Sequence, residues 1–210
     1  MWIKTKRFIK MLFPKMVWEI KGTGKTVYLT FDDGPIPEVT EWVLAELKKY
    51  NAKATFFCIG DNIRKNPSVF KQLAADGHSV GNHTFNHLNG WKTTLSEYLN
   101  NVELCEKQLQ EHFAINLTKK LFRPPYGKIA LAQARHLRKR GFKIIMWDII
   151  AFDFDREVSK EKCLDNVIQN IKPGSIVVFH DSIKASENMK YALPRTLRFL
   201  NDNGYKCAAI

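Results

Sequence analysis

Cysteine is sparse in this 210-residue chain, and its four copies, Cys58, Cys105, Cys163 and Cys207, lie more than 40 residues apart. None forms a CxxC pair and none has a histidine at finger spacing, which excludes a disulfide scaffold and a cysteine-ligated zinc finger. They read as reduced core thiols. Long apolar runs are missing too. Nothing approaches the roughly 18–20 apolar residues of a membrane span. The apolar stretch Met11–Phe13 stops at Pro14 and Lys15, short of the roughly 7–15 residues of a signal peptide, and no small-residue cleavage site follows. There is no GxGxxG or P-loop after the first predicted strand, which removes the usual nucleotide cradles. No repeat, low-complexity tract or linker divides the chain.

What is present suits one globular domain: 45% hydrophobic and 26% charged residues. The net charge of +12 is local. Residues 1–25 carry +6 and residues 119–143 carry +9, which leaves −3 for all the rest. No helix-turn-helix or aromatic-interleaved signature accompanies these runs, so they read as solvated basic faces and no nucleic-acid partner is expected. Residues 1–24 read as a basic N-terminal extension that packs on the domain. A second reading makes residues 1–20 a peripheral membrane contact, with Trp2, Ile3, Phe8, Ile9, Leu12 and Phe13 on the lipid surface. A monomer is expected.

From Lys25 onward short apolar runs alternate with helical patterns. Strands are predicted at Val27–Thr30, Thr55–Ile59, Ser79–Gly81, Lys120–Phe122, Lys143–Trp147, Ser175–Phe179 and Tyr205–Ala209. Helices are predicted at Glu38–Tyr50, Pro67–Asp76, Leu95–Glu111, Ala130–Arg140, Lys160–Ile171 and Met189–Asn203. Regular alternation means parallel strands joined by right-handed crossovers, either as an open doubly wound sheet or as a closed or nearly closed barrel.

Polar residues follow strand after strand: Asp32-Asp33-Gly34-Pro35, then Asn82 to His87, Arg123 to Gly127, Trp147-Asp148 with Asp153 to Asp155, and His180-Asp181. In β/α folds these C-terminal strand ends share one rim, where active sites sit. His83 and His87, with a carboxylate from Asp32-Asp33, make a His, His, carboxylate set of the kind that holds catalytic zinc with an open position. Chemistry explains the need. Free water has a pKa of ~15.7 and an ordinary aspartate ~3.9, a gap of about 12 units or roughly 16 kcal/mol. On zinc, water falls to about 7, and the gap closes to about 3 units, roughly 4 kcal/mol. An aspartate can then serve as base, and His180 can protonate an amide-like leaving group near neutral pH.

Together these residues resemble the polysaccharide deacetylase family, the NodB-homology domain of carbohydrate esterase family 4. Thr30-Phe31-Asp32-Asp33-Gly34-Pro35 matches its first motif and His83-Thr84-Phe85-Asn86-His87 its second. Arg123-Pro124-Pro125-Tyr126 matches the third, and Val178-Phe179-His180 resembles the last. The order agrees from about Lys25 to the C-terminus, so that 25–210 reads as the catalytic domain. The resemblance implies a distorted (β/α)7 barrel and removal of N-acetyl groups from N-acetylglucosamine-containing glycans, of the peptidoglycan or chitooligosaccharide type. It implies Asp32 as general base and His180 as general acid. Asp33, His83 and His87 become ligands of one divalent metal ion, zinc first, with cobalt or another transition metal as alternatives. Arg123 would position Asp32, and the backbone N–H of Tyr126 would help hold the oxyanion. Pro124, Phe154 and Val178 would lie on the substrate side.

The fourth motif departs from the family's Asp-x-x-Asp-Trp, reading Ile150-Ala151-Phe152-Asp153-Phe154. Asp153 survives, in a position to tune His180, while Ile150 and Phe154 replace the first Asp and the Trp. This keeps open a related amidohydrolase acting on a small or lipid-linked acyl amide, and a non-catalytic glycan-binding barrel. Location stays divided between cytoplasm or membrane surface, from the missing export signal, and the extracytoplasmic space, from the family's substrates. His78, His112 and His136 match no motif and read as structural or exposed.

Overall fold

The computed structural model describes residues 3–22, 24–112 and 119–210. Trp2 lies outside them. The first long strand, β1 (Thr26–Asp32), is built from β-branched and aromatic residues and is almost wholly buried. Val27, Leu29 and Phe31 enter the core under the helices, while Tyr28 belongs to a cluster on the opposite face with Phe57, Leu121, Ile145 and Ile176. By the same alternation Thr30 and Asp32 share that inner face.

After β1 come α2 (Val39–Lys49), β2 (Thr55–Cys58), α3 (Gly60–Lys65), α4 (Pro67–Ala75), β3 (Ser79–Asn82) and α5 (Leu95–His112). They are followed by β4 (Leu121–Phe122), α6 (Leu131–Lys139), β5 (Lys143–Ile144), β6 (Ile149–Ile150), α7 (Lys160–Ile168), β7 (Ile176–His180), α8 (Ser186–Asp202) and β8 (Lys206–Cys207). Seven strands lie side by side, all parallel, in the order β5-β4-β3-β2-β1-β7-β6, and β8 pairs with the start of β1. The sheet curls into a half-barrel with helices packed outside, the distorted (β/α)7 form expected; the open doubly wound alternative falls away.

Local chemistry explains most boundaries. At the N-terminus of α2 the Glu38 N–H donates to the Glu41 carboxylate at 2.8 Å, satisfying one of the donors a helix start leaves open. Pro67 opens α4, and Ser159 Oγ accepts from Lys162 N at 3.1 Å to start α7. Two expectations need correction. The predicted strand Lys143–Trp147 is only Lys143–Ile144, and a separate short strand, β6, pairs with β7 instead. Helix α3 also fell inside a predicted loop, because six residues are too few to show a period.

Residues 3–22 fill the seam between β5 and β6. A short helix, α1 (Arg7–Leu12), sits between two extended stretches. Before it, Lys4 forms an antiparallel bridge to Ile149; after it, Val17 bridges Ile145 and Glu19 bridges Ser175. Trp18 and Ile9 pack into the cluster around Phe122 and Leu137. Lys10 Nζ meets Glu19 at 2.6 Å and the buried Asp148 at 2.5 Å, while Ser175 Oγ donates to Asp148 at 2.8 Å. All four cysteines are free thiols, three of them buried.

Candidate active site

The parallel strands deliver their C-terminal ends to one rim. Asp32 ends β1 and Asp33 follows it with a φ of 85°, in a left-handed turn. The turn is pinned from below: Gly34 N–H donates to Asp181 at 3.0 Å, Thr40 Oγ1 donates to Asp181 at 2.6 Å, and Asn62 Nδ2 donates to the Asp33 carbonyl at 2.7 Å. A Cβ at Gly34 would lie 1.9 Å from Asp181 Oδ2, so glycine is required there by the approach of that carboxylate. Burial, with the charge of Asp33 nearby, pushes the Asp181 carboxyl up to about 8 against its two donors.

His83 follows β3 and His87 lies four residues on. Their ring nitrogens and the Asp33 carboxylate lie within 4.8 Å of one another. Nε2 of His87 is 3.3 Å and Nε2 of His83 3.8 Å from Asp33 Oδ1. His83 Nδ1 lies 2.7 Å from the Arg123 carbonyl, which can only accept; Nδ1 therefore carries the proton and Nε2 presents a lone pair. Burial holds both histidines below the ordinary range, and the neighbouring His83 helps bring His87 down to about 4. Asp33 Oδ1 is buried with no hydrogen-bond partner among the described residues. An orphaned carboxylate oxygen facing neutral imidazoles is a set of donors that fits a divalent cation.

Arg123 is fully buried inside the half-barrel. Its guanidinium lies 4.1 Å over the Phe57 ring, and Nη1 donates to both Thr30 Oγ1 and Asp32 Oδ1 at 2.7 Å. Nε and Nη2 donate to the carbonyls of Ile145 and Met146 at 3.2 and 3.0 Å. Burial works to raise the Asp32 pKa. Arg123, with His83 and His180 beyond it, overturns this and holds the carboxyl below its usual range. Asp32 is thus an anion with a fixed direction.

On the other side His180 ends β7. Asp153 takes it by both oxygens: the backbone N–H donates to Oδ2 at 2.7 Å and Nδ1 to Oδ1 at 2.8 Å. Burial would lower the His180 pKa, but the Asp153 carboxylate outweighs it and raises it to about 9. Phe154 stands edge-on to the His180 ring at 4.8 Å.

Tyr126 sits in a single 3-10 turn after the buried Pro124, with φ 59°, and its hydroxyl lies 3.1 Å from His87 Nδ1. Val178 is two residues before His180 on the same strand face, almost without exposed surface. Asp148 and Asp155, the two carboxylates near the altered motif, stay away from His180: Asp148 binds Lys10 and Ser175, and Asp155 accepts from Glu157 N. Thr30, Asn62 and Asp181 also support the site; the sequence places Thr30 in the first motif and Asp181 beside His180 without giving either a role, and does not single out Asn62. Thr30 had a signal, its two-residue spacing from Asp32; Asn62 had none, because its contact depends on the unforeseen α3. Of the remaining histidines, buried His78 accepts from Ala54 N at 3.2 Å and His136 lies on an exposed helix turn.

The polysaccharide deacetylase family pattern matches residues 19–145. The chain belongs to that family. A peptidoglycan-N-acetylglucosamine deacetylase of Bacillus cereus is 38% identical over 156 residues, 74% of this chain and 56% of that longer protein. Another of the same name and organism is 34% identical over 93% of this chain and 91% of its own length. A chitooligosaccharide deacetylase of Azorhizobium caulinodans is 34% identical over 80% of this chain and 79% of its own. The crystal structure of a peptidoglycan N-acetylglucosamine deacetylase bound to 4-naphthalen-1-yl-N-oxidanyl-benzamide superposes with a TM-score of 0.89 at 31% identity, covering 98% of this chain and 95% of that one. A carbohydrate esterase family 4 pseudoenzyme from Bacillus anthracis also superposes, with a TM-score of 0.79 at 25% identity, covering 92% of this chain and 66% of that one. The fold is therefore shared with a protein described as a pseudoenzyme, and the argument for chemistry rests on the side chains.

Proposed function

We propose that this polysaccharide deacetylase is a metal-dependent hydrolase that removes N-acetyl groups from N-acetylglucosamine-containing glycans, peptidoglycan before chitooligosaccharides. One observation carries the reading: the Asp33, His83, His87 cluster lies on the same rim as an aspartate fixed by Arg123 and a histidine fixed by Asp153. A glycan-binding barrel without activity has no need of both. The peptidoglycan named for two relatives favours a reaction outside the cytoplasm.

Asp33, His83 and His87 would hold the cation, and zinc is the assignment their two imidazoles and one carboxylate favour, with cobalt next. When bound, the ion supplies Lewis acidity to the acetamide carbonyl and acidifies water. The protein does the rest. Asp32, anionic and aimed by Arg123, accepts a proton from the water that adds to the carbonyl carbon. The Tyr126 backbone N–H donates to the developing oxyanion. His180, oriented through Nδ1 by Asp153, gives its Nε2 proton to the glucosamine nitrogen as the carbon–nitrogen bond breaks. Acetate and the free amine are the products.

The test is acetate release from N-acetylglucosamine oligomers by metal-stripped protein, before and after zinc is returned. Zinc-dependent release is expected. Asp32→Asn should lose roughly 10²–10⁴-fold in kcat while retaining the metal. Full turnover in that variant would remove Asp32 from the role of base. Metal binding with acetate released only from small amides would assign the Ile150 and Phe154 changes to a different substrate.

A further inference from the structure

Helix α1 and the residue after it present the densest group of exposed large apolar side chains described: Phe8 51%, Met11 70%, Leu12 67% and Phe13 38% exposed. Positions 8, 11 and 12 share one helix face. The rest of the helix is anchored inward. Ile9 packs on the core cluster, and Lys10 is held between Glu19 and Asp148. The apolar face is therefore displayed on a fixed element. Exposed cations flank it along the chain: Arg7 at the start of the helix and Lys15 just beyond it. The only acid in residues 1–25, Glu19, is occupied by Lys10 and Lys172, whose charges hold its carboxyl down at about 2 against the opposing effect of burial.

We propose that α1 docks on an anionic lipid bilayer, its apolar face entering the headgroup boundary and its cations meeting lipid phosphates. Apolar groups flanked by lysine and arginine match that surface in both chemistry and charge. A second copy of the chain would bring like charges together around the same face.

The topology also fixes the orientation. Lys10 reaches Asp148, the residue just before β6, and Glu19 bridges Ser175, the residue just before β7. Residues 3–5 run antiparallel to β6, down its length and away from its C-terminal end. In an all-parallel sheet these positions lie at the end opposite the rim that carries Asp32, Asp33, His83 and His180. A molecule seated on α1 turns that rim away from the lipid and towards a glycan layer above it. This orientation, unlike the docking, rests on the rim being the deacetylase site.

Sedimentation with vesicles tests the docking. The full chain should pellet with vesicles of equimolar phosphatidylcholine and phosphatidylglycerol, stay in solution with phosphatidylcholine alone, and be released as salt rises towards about 1 M, where the Debye length is ~3 Å. Met11→Ser/Leu12→Ser should lower partitioning roughly tenfold or more, with the circular dichroism and the acetate release from soluble oligomers of the wild type. No pelleting with the anionic vesicles, or equal pelleting of the variant, overturns the proposal. So does a concentration-dependent dimer that the variant disperses. For orientation, vesicle-bound protein should release acetate from soluble oligomers at the rate of free protein; suppression on binding overturns the outward rim. A protein that pellets but never releases acetate leaves the docking standing and removes the deacetylase reading.

Discussion

At the scale of single residues, His180 and Asp153 make the most direct link between geometry and a measurable titration. The imidazolium is favoured in the folded protein because Asp153 faces Nδ1 at 2.8 Å, and its pKa is about 9 against 6.5 for the ordinary group. The pair thus stabilises the fold by an amount on the order of 3 kcal/mol. This contribution is complete below about pH 6.5 and fades as the pH rises through about 9. In metal-free protein, NMR titration should place His180 near 9, and Asp153→Asn should bring it back towards 6.5 or lower. A variant still titrating near the wild-type value would take the tuning role from Asp153. The pairing was legible in advance because both residues fall in motifs at strand ends. The complete burial of Arg123 was not: in the sequence it is one cation of a basic run, and only the inner face of the half-barrel, with the Phe57 ring against it, removes it from water.

At the scale of elements, the alternation of strands and helices was readable, but the seam was not. Strands of two residues, such as β5 and β6, leave too few positions for a period to appear, and their pairing is decided by what fills the gap beside them. Here the filler is the N-terminal segment. Its basic composition reads as solvated, yet Lys10 is only 17% exposed and its partner Asp148 is fully buried. Removing one member of such a pair leaves an uncompensated buried charge, which typically costs about 3–5 kcal/mol. Lys10→Met should therefore lower the free energy of unfolding in urea by that order. Adding Asp148→Asn, which keeps an acceptor for Ser175, should recover most of it. If the single variant proves as stable as the wild type, the N-terminal segment does not brace the seam between β5 and β6. If both variants are equally destabilised, lost packing of the lysine stem, and not charge, is the cause.

For the whole molecule, the metal cluster joins parts of the chain that are far apart in sequence. Asp33 comes from the turn after β1, His83 and His87 from the loop after β3, and the Arg123 carbonyl that orients His83 from the end of β4. None of this geometry exists in the unfolded chain, so a cation that binds there stabilises the fold by mass action. At a free concentration ~1,000 times Kd the gain is about 4 kcal/mol, which for a chain of this size raises Tm by roughly 8–16 °C. Without metal, Asp33 Oδ1 remains a buried acceptor facing imidazoles that burial keeps neutral, and no group among the described residues takes the place of the ion. Thermal unfolding in chelator and then in excess zinc should show that rise for the wild type. His87→Ala should show little of it, while melting close to the wild type in chelator, because His87 is only partly buried and its hydrogen bond is with the hydroxyl of the exposed Tyr126. A wild type whose Tm ignores zinc, or a His87→Ala variant with the full shift, would place the ion elsewhere. Comparing zinc with cobalt in the same experiment ranks the two metals by affinity before any substrate is added.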